Sequence, residues 1–254
     1  MTSTLDHTDS APRTNEFGQP IGPAVPGWQA RERPPRTAMT GHRVRLEPLD
    51  AARHGAALYA AYAAAADTRD WTYMNAGPFC RRSRPHCAFD TGGAASEDPL
   101  HFAIVDLASG QPAGTFALMR VDCANGVVEV GHVTYSPRLQ RSAVATEAMY
   151  LLMRRVFDEL GYRRFEWKCD SLNARSRAAV LRYGFAYEGI FRQAIVYKGR
   201  SRDTAWFSLL DHEWPAVRAG FEHWLAPGNF DAEGRQHMPL AESIARSRAS
   251  GASA

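Results

Sequence analysis

The six residues Gln140-Arg141-Ser142-Ala143-Val144-Ala145 carry the pattern in this chain that most directly suggests chemistry. Ahead of them an apolar stretch stops at Pro137, and behind them Ala145, Met149, Leu152 and Val156 recur at helical spacing. A loop that runs straight into a helix is an anion site. The first four amides of a helix have no internal partner, and they carry the positive end of its dipole. Ser142, Ala143 and Ala145 keep the side chains small, while Gln140 and Arg141 can donate to phosphate oxygens, so a diphosphate suits the loop. The same residues also read as an ordinary strand-to-helix connection, and spacing alone leaves both open. A second cluster, Cys80, His86 and Cys87, brings metal-binding side chains together, but its C-x6-C spacing matches no common zinc pattern and lacks a second ligand pair. With Cys123 and Cys169 these are the only cysteines, without the spacing of a disulfide framework, so reduced thiols and no metal are expected.

The elements that must hold the loop are legible from periodicity. Val44 and Leu46 alternate with Arg43, Arg45 and Glu47, the period of a half-buried strand over His42–Pro48. Asp50 is placed to cap an alanine-rich helix from Ala51 to Ala66, with Leu58 and Tyr62 on one face. Short apolar runs at His101–Leu107, Ala113–Arg120 and Gly126–Thr134, separated by Gly110 and Asn125-Gly126 turns, predict an antiparallel meander. After the helix that follows the loop, Gly161 is a natural C-cap, and Arg164–Lys168 alternates as a strand expected beside the third strand of the meander. Ser171 or Asn173 can cap a second helix ending at Gly184, and Tyr187–Tyr197 and Thr204–Leu210 read as two more strands. The order β-β-β-α-β-α-β-β predicts an α/β fold of mixed type. Residues 1–39 are proline-rich and predict an extended arm, residues 40–225 the folded domain, and residues 226–254 a Ser/Ala/Gly-rich tail within which Met238–Arg248 can form a helix.

Composition narrows the class. The chain has 254 residues, 45% of them hydrophobic, enough to build a core, and a formal net charge of only +3. That charge does not by itself predict nucleic-acid or anionic-membrane binding. No stretch of about 18 apolar residues occurs, and the N-terminus has no signal-peptide pattern, so no membrane association and a cytoplasmic location are expected.

From residue 40 to about 215 the chain resembles the GNAT acetyltransferases, especially the branch with the Rim-type (RimJ/RimL-like) ribosomal-protein alanine acetyltransferases. The segments that carry the likeness are GHRVRLEPL, VVEVGHVTYSPRLQRSAVATEAM, CDSLNARSRAAVLRYGFAYEGIFRQ and KGRSRDTAWFSLL, in the family's order. The resemblance implies a mostly antiparallel twisted sheet with a splayed strand pair and flanking helices. It also implies that acetyl-CoA is the cosubstrate and that a primary amine, a protein N-terminus or a small amino compound, accepts the acyl group. Succinyl-CoA, or acyl-CoA binding without turnover, are the alternatives, and a homodimer is allowed.

Residue by residue, the loop matches the family's (Gln/Arg)-x-x-Gly-x-(Gly/Ala), except that Ala143 replaces the first glycine. A positive φ at that position would penalise alanine, whereas a right-handed helical start would accept it. The resemblance assigns Val133 and Thr134 to the pantetheine arm, with Tyr135 beside them, and Thr146-Glu147 to the helix start, where a carboxylate favours the positive dipole end. Asn173 matches a pantetheine-contacting asparagine and is equally a helix cap. Many relatives carry a tyrosine acid where this chain has Val180; the Rim-type branch has a serine where this chain has Ser176, which makes Ser176 the candidate to protonate the thiolate. Tyr135 can donate to it as well. Glu129 is the candidate base, and His132, whose ordinary pKa of about 6.5 suits proton transfer, is the other. Strict alternation points the two to opposite faces of the strand. Trp71, Tyr73 and Arg192 are expected to border the acceptor, with Arg192 able to hold a carboxylate.

Overall fold

Alternation of apolar and polar residues sets the strands, and their apolar faces decide which helices they collect. The computed structural model describes residues 13–78 and 96–251. The segment containing Cys80, His86 and Cys87 therefore lies outside the described residues. Residues up to Ala30 form a unit of their own, with a two-stranded ladder of β1 (Arg13–Thr14) and β2 (Pro20–Ile21). The second unit runs from Arg31 and holds everything that follows.

Its sheet comprises β3 (Met39–Thr40), β4 (Val44–Pro48), β5 (Leu100–Asp106), β6 (Gln111–Asp122), β7 (Val127–Tyr135), β8 (Arg164–Asp170), β9 (Ala186–Tyr197) and β10 (Arg200–Leu210). The spatial order is β3-β4-β5-β6-β7-β8-β10-β9. Neighbours run antiparallel except β7 and β8, which are parallel. A parallel neighbour needs a crossover, and α2 (Ala143–Arg154) supplies it. One face of the sheet, formed by Leu46, Phe102, Phe116, Val128, Val130 and Phe165 among others, is fully buried in the main core that α2 shares. The other face receives α1 (Ala51–Ala63), capped by the Asp50 side chain accepting from the Arg53 amide, with Leu58 packed on Ala103 and Leu49.

The helix after the loop is longer than its apolar period suggests. α2 passes into a π-helical turn at Arg155–Glu159 before Gly161, at φ +65°, stops it. Glu147 does something other than complement the helix dipole. Its carboxylate accepts from the backbone amides of His42 and Arg43, both at 2.7 Å, and so fixes the β3–β4 turn against α2. A Cβ on Gly41 would lie 2.6 Å from that carboxylate, so the turn needs glycine for space.

One helix lies beyond the predicted elements, and a second forms within the segment read as tail. α3 (Ala174–Arg182) was expected, but α4 (Trp214–Leu225) and α5 (Leu240–Gly251) follow the last strand. Residues 240–251, read as tail from their small and polar composition, instead dock through buried Leu240 and Ile244, four residues apart on one helical face. The close approach depends on Gly220 of α4, where a Cβ would come within 2.6 Å of the Ile244 Cα, and Ser243 donates to the Gly220 carbonyl at 2.8 Å. No helix among the described residues is long and apolar enough to cross a membrane.

Candidate active site

The sheet opens where β7 and β8 part. Their pairing runs from Val127 opposite Arg164 to Val130 opposite Trp167 and stops. Beyond it β7 remains with β6 as far as Tyr135, and β8 remains with β10 as far as Asp170. A notch therefore lies between Gly131–Tyr135 and Lys168–Asp170, and parallel strands that separate leave backbone groups facing it free for a ligand.

A bulge at the mouth of the notch changes which side chains face it. Ala117 pairs with Gly131 and Thr115 with Thr134, two steps on β6 against three on β7, and His132 takes up the extra residue at φ +50°. Strict alternation put His132 opposite Glu129; the bulge corrects this. The His132 ring lies 5.1 Å from that of His101, at an interplanar angle of 64°. His101 pairs with Ala117, which shares its face with Met119, the partner of Glu129. Both candidate bases are thus on the α1 side of the sheet. Burial, the neighbouring His132 and Arg36 bring the His101 pKa down to about 4, and burial also lowers that of His132.

Glu129 is only 6% exposed and lies 2.9 Å from the Lys168 ammonium and 3.4 Å from the Arg120 guanidinium. Burial raises its pKa, against the lowering effect of Lys168 and Arg120. Lys168 in turn contacts Glu166 at 2.8 Å and sits 3.7 Å above the Trp206 ring, which is 4.5 Å from that of Phe191.

At the other end of the notch stands the loop. Ser142 is the N-cap of α2: its hydroxyl accepts from the Ala145 amide at 3.0 Å and donates to the Leu139 carbonyl at 2.7 Å. The left-handed residue of the loop is Arg141, at φ +60°, while Ala143 is already the first helical residue. The missing glycine is therefore free of strain. Among the described residues the Ala143 and Val144 amides have no protein acceptor, which leaves the two donors an anion would use. Arg141 is exposed. Gln140, by contrast, is engaged: its amide donates to Asp70 at 2.9 Å and to the Tyr135 carbonyl at 3.2 Å. Asp70 also accepts from Arg175 at 3.0 Å, and these residues with Ala65, Asp67 and Pro137 line a cleft of about 260 Å³. The Thr146 hydroxyl is buried between the Ser142 carbonyl at 3.3 Å and Arg182 at 3.2 Å, a bracing position.

On the helix side of the notch, the Asn173 side chain accepts from the Ser176 amide at 3.1 Å and caps α3. The Ser176 hydroxyl accepts from the Trp167 indole at 2.9 Å and also neighbours the Cys169 thiol, to which it can donate. Val180, where many relatives place a tyrosine, is wholly buried. Tyr183, the C-cap residue of α3, lies against the start of α2. Its ring lies 6.3 Å from Trp167, and its hydroxyl neighbours those of Tyr135 and Thr146. The hydroxyls of Tyr135 and Tyr183 are both pushed up by burial, that of Tyr135 well above its ordinary value. Tyr183 follows Ser176 and Val180 at helical spacing, so α3 itself carries it here before the chain reverses at Gly184.

The acceptor-side segment is held across the α1 face. The Trp71 ring meets that of Tyr62 edge-on at 5.7 Å, and the Tyr62 hydroxyl donates to the Thr134 carbonyl at 3.2 Å. Lys198 and Arg200, at the β9–β10 turn, donate to the carbonyls of Trp71 at 2.8 Å and Thr72 at 2.6 Å, and Tyr73 donates to Leu172 at 3.2 Å. Trp71 and Tyr73 are thus brought to the notch. Arg192 is not: it is exposed on β9, with β10 between it and β8.

Comparison with known proteins identifies the family and the fold. Residues 43–186, more than half of the chain, match the family described as "Acetyltransferase (GNAT) domain". A GCN5-related N-acetyltransferase from Brucella melitensis superposes with a TM-score of 0.84 at 47% identity, covering 87% of this chain and 100% of that one. A GNAT-family structure from Chromobacterium violaceum has a TM-score of 0.71 at 42% identity, over 78% of this chain and 98% of that one. Among curated proteins, YdaF of Bacillus subtilis, provisionally named a ribosomal N-acetyltransferase, is 30% identical over 108 residues, 42% of this chain and 58% of YdaF.

Proposed function

The chain belongs to the GNAT acetyltransferase family, and on that premise we propose that it moves an acetyl group from acetyl-CoA to a primary amine, a protein N-terminal α-amine in particular. The family fixes acyl transfer from acyl-CoA to an amine; the acetyl group and the protein acceptor are our reading, drawn from the Rim-type motifs and the likeness to YdaF. One observation carries it: a notch between parallel strands leads to a helix start that offers two free amides, those of Ala143 and Val144.

The roles follow from placement. The amides of Ala143 and Val144, with exposed Arg141, hold the diphosphate, while Ser142 and Ala145 keep the helix start in shape. Gln140 must leave Asp70 to contribute. The β7 backbone at Val133 and Thr134 and the α3 start at Asn173 flank the pantetheine arm. The amine attacks the thioester carbonyl directly, and Ser176, its hydroxyl oriented by the Trp167 indole, supplies a proton to the departing thiolate. Tyr135 stands behind it. The charge group of buried Glu129, Lys168 and the more exposed Arg120 sets the field on the acceptor side, where Trp71 and Tyr73 form the wall; Arg192, away from the notch, has no part in it.

A second reading, acyl-CoA binding without turnover, draws on Val180, an inert group where relatives have an acid. Free-thiol release with a panel of amines and N-terminal peptides, run with acetyl-CoA and with succinyl-CoA, separates the two. Acceptor-dependent release from acetyl-CoA is expected. CoA binding with no release for any amine would replace the first reading by the second.

A further inference from the structure

We propose that the His132 imidazole accepts the proton of the acceptor ammonium, and that His101 is its positioning residue. The inference rests on the acyl-transfer reading and names the base that reading leaves open.

Backbone geometry is the first support. His132 holds φ +50° within a strand, a conformation that costs a non-glycine residue of order 1–3 kcal/mol and that persists only where the surroundings enforce it. Here the pairs Ala117 with Gly131 and Thr115 with Thr134 enforce it from both sides. The effect of the bulge is to aim one extra side chain at the acceptor face, two residues past the last β7–β8 pair at Val130. The second support is access. His132 keeps surface open to solvent even though its packed side lowers its pKa, whereas Glu129 lies buried between Lys168 and Arg120 and is ion-paired with both. Protonating Glu129 would leave Lys168 with one carboxylate partner instead of two, Glu166 alone.

The third is the ring pair. His101, from β5, presents its ring to His132 at 5.1 Å and restricts where the imidazole can turn. The charged groups around the pair are Arg36 from the extended segment ahead of β3, and Arg120, Glu129 and Lys168 on the same sheet face. Burial, a charge on His132 and Arg36 bring the His101 pKa down to about 4, so above that pH the pair takes up a single proton, and it goes to His132.

The step balances without a further reactant. An ammonium N–H bond breaks, its proton passes to the imidazole, and the freed lone pair attacks the thioester carbonyl. Collapse of the adduct breaks the C–S bond, the sulfur takes the electron pair, and the remaining surplus proton of the nitrogen reaches it by way of Ser176. His132 returns its proton to water.

His132→Asn is the test, because asparagine tolerates a left-handed φ and preserves the bulge. It is measured beside Glu129→Gln and His101→Ala, with kcat/KM for an amine from pH 5.5 to 9.5 and the Kd of acetyl-CoA. His132→Asn is expected to lower kcat/KM about 100-fold near neutral pH, the lower end of general-base contributions, with acetyl-CoA affinity unchanged and the deficit shrinking as the amine's own pKa is approached. His101→Ala lets water reach His132 and should move the acid limb upward, toward about 6.5, which loss of packing alone would not do. A wild-type profile in His132→Asn, or loss of the acid limb in Glu129→Gln alone, overturns the assignment. Absence of amine-dependent thiol release in the wild type would instead remove the acyl-transfer reading beneath it.

Discussion

Replacing Ser176 by alanine perturbs stability and turnover through different atoms, and a double-mutant cycle separates them. The Ser176 hydroxyl is the acceptor for the Trp167 indole N–H at 2.9 Å, and Trp167 is 5% exposed. Ser176→Ala leaves that donor unpaired in the interior, which costs about 1–3 kcal/mol. Trp167→Phe removes the donor and keeps an aromatic ring, so in the Trp167→Phe background the stability effect of Ser176→Ala should fall below about 0.5 kcal/mol. Urea unfolding of the four proteins gives that coupling directly. Turnover behaves otherwise. If Ser176 donates to the thiolate, kcat for thiol release drops about 10- to 100-fold in both backgrounds, with the acetyl-CoA Kd within about twofold. A kcat for Ser176→Ala within about twofold of wild type would refute the donor role, and a coupling near zero would refute the indole bond that positions it.

Three further outcomes follow from the fold. Ala143 is helical, so Ala143→Gly should not tighten acetyl-CoA binding and should cost about 0.5–1 kcal/mol in thermal or urea unfolding; tighter binding by calorimetry would show that the loop needs glycine after all. Glu147→Ala removes two charge-assisted bonds to the His42 and Arg43 amides and should lose about 3–5 kcal/mol, read as a lower urea midpoint, with Glu147→Gln between it and wild type. His101 has a folded pKa of about 4 against an unfolded value of about 6.5, so it binds protons in the unfolded chain first. Its contribution to stability is complete above about pH 6.5 and is lost as pH falls toward 4; His101→Gln should flatten the urea midpoint across that window, and an unchanged slope would exclude the effect.

The sequence by itself determined what depends on neighbours along the chain. Periods of two and of 3.6 residues located the sheet strands from β4 to β10 and the first three helices, because one buried face is a local pattern. The small residues before α2 and the family motifs were legible for the same reason, since a helix start is built from consecutive residues, whereas the capping role of Ser142 came from the structure. The tertiary structure decided the rest. The facing of His132 follows from one extra residue that shows only in the register with β6. Glu147 meets its amides across 105 residues, Gln140 meets Asp70 across 70, and Tyr183 at the end of α3 meets Tyr135 at the end of β7. The docking of α5 turned on the space at Gly220, which a composition of small and polar residues conceals. Partners so far apart leave no periodic trace, so the notch and its loop could be read from the chain, whereas the side chains that face the notch were set by long-range packing.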